Sequence, residues 1–338
     1  MTTPSGQISA QDIKNEFGET GEGKVALGSY RVSQTCGELT LPIGDGIPTS
    51  GQISYNNMRG KRLNIEVDYY SGGTISRQDN GDATMDAKSR YDNENDKVKV
   101  IGGLRSKPSS TEGKRVRIHV NKTLGGKKGN KNFCALRTGT GWHSNTALVV
   151  DVGGEGKIFG AGGDGGEGGN DLDAGNAGGD GSSALGIDVD ASINVASGGL
   201  IRCGFGGGGG GGSGRQVDKG SDRRAGGGGG GGGQGFPGGS GGDRGRAGPD
   251  NAGDGSAGDL SEAGEGGGGG NNAGETGGGT GGEGGSQGEA ANSGNGSSFG
   301  GGAGGAEGAA IRRASNSLIT PLENDGTITG DMNGVGVS

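Results

Sequence analysis

This chain has little of the material from which an ordinary protein interior is made. Only 26% of its 338 residues are hydrophobic and 4% aromatic, too little for one large apolar core. No run of 18 apolar residues occurs, and the Met1-Thr2-Thr3-Pro4 start is not followed by a basic and then an apolar leader. Neither a membrane span nor a secretion signal is therefore expected. Three cysteines, Cys36, Cys134 and Cys203, are odd in number and lack CxxC spacing. That argues against a disulfide framework or a zinc site and for reduced thiols made in a cytoplasm. The two histidines, His119 and His143, have no carboxylate at ligand spacing, so an ordinary surface pair is expected rather than a catalytic or metal pair. No metal and no cofactor is expected. With only 7 prolines, and glycine in blocks rather than at every third position throughout, collagen is excluded as well.

What the chain has instead is glycine, and it is concentrated: 68 of the 93 glycines fall within residues 151–310. The longest runs are Gly206–Gly212, Gly226–Gly233 and Gly266–Gly270. Such runs bury no side chains and carry the largest backbone entropy cost on folding. They are either a linker or a fold in which backbones pack on one another. Charge divides along the same line, with net +6 in residues 1–150 and net −14 in 151–338. The acidic half would repel nucleic acid, and no nucleic-acid partner is expected. In the first half Lys127, Lys128 and Lys131, with Arg115 and Arg117 nearby, form one basic cluster, read as a solvated loop.

Read in order, the chain divides into four parts. Residues 1–61 contain a repeated phrase, Ser5-Gly6-Gln7-Ile8-Ser9 and Ser50-Gly51-Gln52-Ile53-Ser54, each with a serine placed to cap a following helical turn, Ala10–Phe17 and Tyr55–Arg59. The apolar residues here, Ile8, Ile13, Phe17, Leu27, Leu39, Leu41 and Ile43, are too few for an independent core, so a docking segment is expected. Residues 62–152 alternate apolar and polar positions, as in Leu63–Tyr69, Val116–Val120 and Ala147–Val152. That pattern predicts a small antiparallel β domain, a sandwich or sheet. Residues 153–310 are the glycine-rich part, and 311–338 a closing β segment.

Short β arms bracket the glycine tract. Gly156-Lys157-Ile158-Phe159-Gly160 has the same spacing as Gly326-Thr327-Ile328-Thr329-Gly330, and Gly199-Leu200-Ile201 lies between them. A free tail has no need of a closing arm, and the spacers are more varied than a Gly/Ser linker. Gly165–Gly181 holds one imperfect copy of a calcium-binding nonapeptide, where a β-roll needs several. The expected fold is mainly β with a region of extended polyglycine helices, three residues per turn, bonded laterally, and with the spacers as loops at the ends of the array.

Two resemblances bear on function. The opening, with its SGQIS phrases, the Gly28-Ser29-Tyr30-Arg31 segment and the Asn57-Met58-Arg59-Gly60-Lys61 ending, resembles the N-termini of virion structural proteins of tailed bacteriophages. The glycine-rich block, over roughly residues 148–330, resembles the adhesins at the tips of phage tail fibres, in which polyglycine helices form a sandwich and variable loops meet the host. The resemblance implies a non-enzymatic tail protein of the virion, docked to other phage tail proteins through residues 1–61 and attaching to a host surface glycan or outer-membrane protein. The alternative is a purely structural baseplate, connector or capsid-surface protein. An oligomer is expected, with a trimer one option, since no heptad fixes the number. A polysaccharide-degrading enzyme fares worst, because the tract offers no cleft wall for a carboxylate pair. Recognition is expected in the spacers, with Arg215, Gln216, Asp218, Arg223 and Arg224 in one and Gln234, Phe236, Arg244 and Arg246 in the other.

Overall fold

In the computed structural model the described residues are 3–19, 23–30, 47–48, 50–69, 85–101, 106–218, 220–247, 252–271, 277–287, 289–314, 317 and 319–337. Cys36, Leu39, Leu41 and Ile43 lie outside them. The protein is mainly β. Its strands in chain order are β1 (Asn64–Tyr69), β2 (Met85–Asp86), β3 (Val98–Ile101), β4 (Arg115–Val120), β5 (Thr123–Gly125), β6 (Cys134–Arg137), β7 (Ala147–Val152), β8 (Lys157–Phe159) and β9 (Ser183–Ile187). They continue with β10 (Ala191–Val195), β11 (Leu200–Arg202), β12 (Gly214–Asp218), β13 (Ser221–Ala225), β14 (Ile311–Arg313), β15 (Ile319–Asn324), β16 (Thr327–Thr329) and β17 (Gly334–Val335).

Among the described residues three sheets account for all but the β12–β13 hairpin, in the orders β15-β10-β7-β4-β1-β3, β16-β11-β8-β5 and β17-β14-β9-β6-β2. Three successive strands therefore go one to each sheet, and the next three stack on them: a parallel three-sheet solenoid. The expected antiparallel sandwich is corrected here. Apart from β1–β3 and the hairpin, the strand pairs are parallel, with Ile118 opposite both Val67 and Val150. Alternation reports only that one strand face is dry. It is equally satisfied when that face looks into a solenoid. The loose repeat read in the sequence is one ladder of this solenoid, with Leu124, Ile158, Ile201 and Ile328 in register across the second sheet.

The sheets cross the divisions expected at residues 152 and 311, since strands from 62–152 and from 311–338 share all three. The N-terminal segment packs on the same body. Ser9 caps the helix α1 (Ala10–Phe17) in a capping box with Asp12, and Ile13, Phe17, Tyr30 and Met58 join the core cluster of Ile65, Val67 and Ile118. Glu16, buried, accepts the Leu63 amide at 2.5 Å and pairs with Lys114. His119 does not form a surface pair. It is fully buried on the outer side of the first sheet, its Nδ1 3.3 Å from Glu66, beside the buried Arg117–Asp151 pair. Arg117 thus leaves the expected solvated cluster, while Lys128 bonds Asp164 at 2.9 Å.

Both glycine-rich insertions leave the solenoid at one corner, between the second and third sheets: residues 160–182 between β8 and β9, and 203–310 between β11 and β14. Outside the hairpin they form almost no regular strand. They pack as extended runs bonded sideways, and the donors rotate. In the run 227–235, Gly227, Gly230 and Gly233 donate to Gly169, Gly166 and Gly163; Gly228, Gly231 and Gln234 to Gly279, Gly282 and Gly285; Gly229, Gly232 and Gly235 to Gly253, Ser256 and Asp259. Each such bond contributes about 1 kcal/mol net, comparable to the entropy of fixing a residue.

The backbone approach is what demands glycine. A Cβ built on Gly208, Gly209 or Gly210 would lie 2.0 Å from the Gly282 carbonyl oxygen, 2.0 Å from that of Gly302 and 1.9 Å from that of Glu167, three different neighbours in three residues. In outer runs one residue in three faces solvent, and there the chain places Asp164, Glu167 and Asn170, or Thr280 and Glu283.

Candidate surface at the loop end of the glycine runs

The hydrogen-bond registers sort the turns into two groups. Gly204 bonds to Ser182 beside β9, and nine residues later Ser213 donates to the Asp173 carbonyl at 3.1 Å while accepting from the Phe299 amide at 3.1 Å. Residues 170–173, 213–218, 220–226 and 296–299 therefore gather at the end away from the solenoid. Residues 234–237, 259–262, 286–287 and 289 gather at the end next to it.

At the far end the β12–β13 hairpin stands between two other turns. The Arg215 amide donates to Ser298 Oγ at 2.8 Å, and the Ser298 hydroxyl donates to the Arg215 carbonyl at 3.1 Å. On the other side Arg224 reaches Asp171 at 2.6 Å. Asp171 and the next residue, Leu172, both have left-handed backbones, with φ of 25° and 74°, a conformation that bulky side chains rarely adopt without support. Within the hairpin Asp222 takes Arg215 in a two-pronged contact, at 3.0 and 3.3 Å, and Arg224 at 2.7 and 3.1 Å. These hydrogen bonds, from Arg224 first and Arg215 next, hold the Asp222 carboxyl down at about 2. Arg223 and Val217 face solvent, Val217 at 63% exposure.

The expected recognition residues separate. Arg215, Gln216, Arg223 and Arg224 come together on the hairpin, whose β12 ends at Asp218. Arg246 joins them, its amide bonded to Asn170 at 2.7 Å. Arg244 is exposed nearby on its own run, its Nη1 donating to the Ala252 carbonyl at 3.3 Å. Gln234 and Phe236 lie at the opposite end. Gln234 is 3% exposed, donates to the Leu260 carbonyl at 3.2 Å and accepts the Gln287 amide at 3.2 Å. Phe236 packs edge-on against Phe159 at 6.4 Å, so its ring is spent on joining the runs to β8. The stretch expected as a loop is mostly a packed run, in which Gly239, Gly242 and Gly245 donate to Gly233, Gly230 and Gly227. Sequence reasoning missed Asp222, Asp171 and Ser298. The first was findable, as the one carboxylate beside paired arginines in a hairpin-sized spacer.

A cavity of about 540 Å³ lies on a different side of the solenoid, lined by Trp142, His143, Thr146, Asp188, Asp190 and Ser317. Its Asp188 is occupied by Arg137 and by the Gly139 amide at 2.8 Å. Among the described residues no group of three or more His, Cys, Asp or Glu side chains is placed to hold a metal ion, and no helix is long and apolar enough to cross a membrane.

The fold is thus a side-chain-packed solenoid from which backbone-packed runs project, with polar turns gathered at their far end. Residues 82–333 match the family of the phage tail fibre adhesin Gp38, and the chain belongs to that family. It is accordingly a structural component of a phage tail, in the class of tail fibre adhesins. Among solved structures it is similar to the gp37–gp38 adhesin tip complex of the bacteriophage S16 long tail fibre, at 21% identity over 85% of this chain and 90% of that one, with a TM-score of 0.35. No relative was found among curated proteins.

Proposed function

We propose that this protein attaches the virion to the host cell surface through the far turns of its glycine-rich part, and that the glycine runs are polyglycine helices serving as a rigid platform. The observation that carries this reading is the rotation of donors in residues 227–235 among three neighbours, one per three-residue turn. At about 3.1 Å per residue such a run holds Ser213 some 28 Å beyond Gly204. Polyglycine supplies no side chains, so specificity falls to the turns. Exposed arginine and the Val217 side chain suit a glycan or an outer-membrane protein loop.

Residues 1–61 are proposed to hold the protein to other tail proteins. Ile13, Glu16 and Phe17 face inward and fasten the segment to the solenoid, while Gln7 and the pair Gln11 and Asn15, whose side chains bond each other at 2.7 Å, lie on the exposed side. The non-enzymatic reading is supported by membership of a tail fibre adhesin family.

The test is exchange of residues 215–224 for a short neutral turn in the full-length protein on particles. Adsorption is expected to fall about tenfold or more with the solenoid's melting unchanged, as for loss of a central contact. Normal adsorption would leave the glycine-rich part as scaffold and return the purely structural reading.

A further inference from the structure

The hairpin register sets two like charges against each other. Arg215 is the direct cross-strand partner of Arg224, an arrangement that by itself destabilises a two-stranded ribbon. A lone hairpin is marginal in water in any case. Asp222 lies on the same hairpin face, two residues before Arg224 and opposite Val217. Its two oxygens take both guanidiniums, and Arg224 then carries the connection on to Asp171 in the neighbouring turn.

We propose that Asp222 is a positioning residue for attachment: it converts two opposed arginines into a brace that fixes the hairpin against the 170–173 turn, so that the hairpin presents the exposed Val217 side chain, rather than Arg215 and Arg224, for the host contact. This rests on the reading of the far turns as the attachment surface. The brace consumes the cations that a sequence reader would assign to the receptor. Arg215 meets Asp222 with two nitrogens, and Arg224 is shared between Asp222 and Asp171. Networks with two-pronged geometry are the exposed ion pairs that do contribute measurably. The low-lying Asp222 carboxyl means the brace stays charged throughout the pH range in which particles are handled. Ser298, bonded to the Arg215 backbone from the other side, closes the support without using a charge.

The test compares full-length variants on particles by adsorption rate and by hydrogen exchange of the hairpin amides. In Asp222→Asn the amides of Gly214–Asp218 and Ser221–Ala225 are expected to exchange about tenfold faster, and adsorption to fall by a similar factor, while the solenoid melts as before. Asp222→Glu, which keeps the carboxylate, is expected to recover part of both. Asp222→Asn with unchanged hairpin exchange or unchanged adsorption overturns the proposal. A Val217→Ser variant, which leaves the brace in place, separates the two readings. If it abolishes adsorption while Asp222→Asn does not, positioning fails and the attachment surface stands. If it adsorbs normally although Asp222→Asn loosens the hairpin, the attachment reading fails and takes the role of Asp222 with it.

Discussion

The solenoid and the glycine runs solve one problem with opposite materials. In the solenoid each new coil buries an apolar side chain on the one before, as Ile201 does between Ile158 and Ile328. In the glycine-rich part each new run buries mostly backbone, and the run Gly206–Gly212 is enclosed because it has no side chains at all. Both are stacks in which the sideways hydrogen bonds run between segments distant in sequence. They should therefore fail in opposite ways, the solenoid when a side chain shrinks and the runs when one grows.

The largest effect is expected from Gly230→Val. A Cβ there lies 2.1 Å from the Gly208 carbonyl oxygen, and since the obstacle is backbone rather than a flexible side chain, the cost should exceed about 3 kcal/mol, the upper end for overpacking. Loss of protection throughout 204–213 and 226–235, with the solenoid still folded, is the expected result. A variant as stable as the parent would mean that the runs are not packed together. Next comes Ile201→Ala, which should cost about 3 kcal/mol by emptying the middle of the ladder and should lower the melting of solenoid and runs together, because both insertions are clamped by it. The smallest effect is expected at Gly268, an exposed outer position where a Cβ meets nothing within 4 Å. Gly268→Ala should change stability by less than about 0.5 kcal/mol. A large loss there would show that the inner and outer positions have been confused.

The comparison also explains what could be read in advance. The ladder was legible as the repeated Gly-x-Ile-x-Gly phrase, because solenoid stacking puts equivalent residues at equivalent places. The direction of the strands was not, because an alternating pattern is the same for either. The helix at Ala10–Phe17 was legible from Ser9, whose cap is local. The fate of Gln234–Arg246 was not. A run in this packing must be glycine only where it faces another backbone, so Ser240, Asp243 and Arg244 mark outward positions rather than a loop. The signal was present in Asp164, Glu167 and Asn170, three residues apart, and in Thr280 and Glu283 with the same spacing. An unbroken run such as Gly226–Gly233 is interior, whereas glycine interrupted at every third place is the rim. Burial of Gln234 and pairing of Arg215 and Arg224 depend on partners 26 or more residues away or across a turn, such as Leu260 and Asp171, and no local pattern announces them.

That distinction supplies the most direct test of the packing. Among the described residues the amides of Asp164, Glu167, Thr280 and Glu283 donate no hydrogen bond, whereas their neighbours Gly165, Gly166, Gly168, Gly169, Gly278, Gly279, Gly281 and Gly282 all do. Residue-resolved hydrogen exchange of the full-length protein should therefore give unbroken slow exchange across Gly227–Gly235 and a slow, slow, fast repeat along 162–169 and 278–285. Random-coil exchange rates across Gly227–Gly235, or an outer run with no period of three, would contradict it.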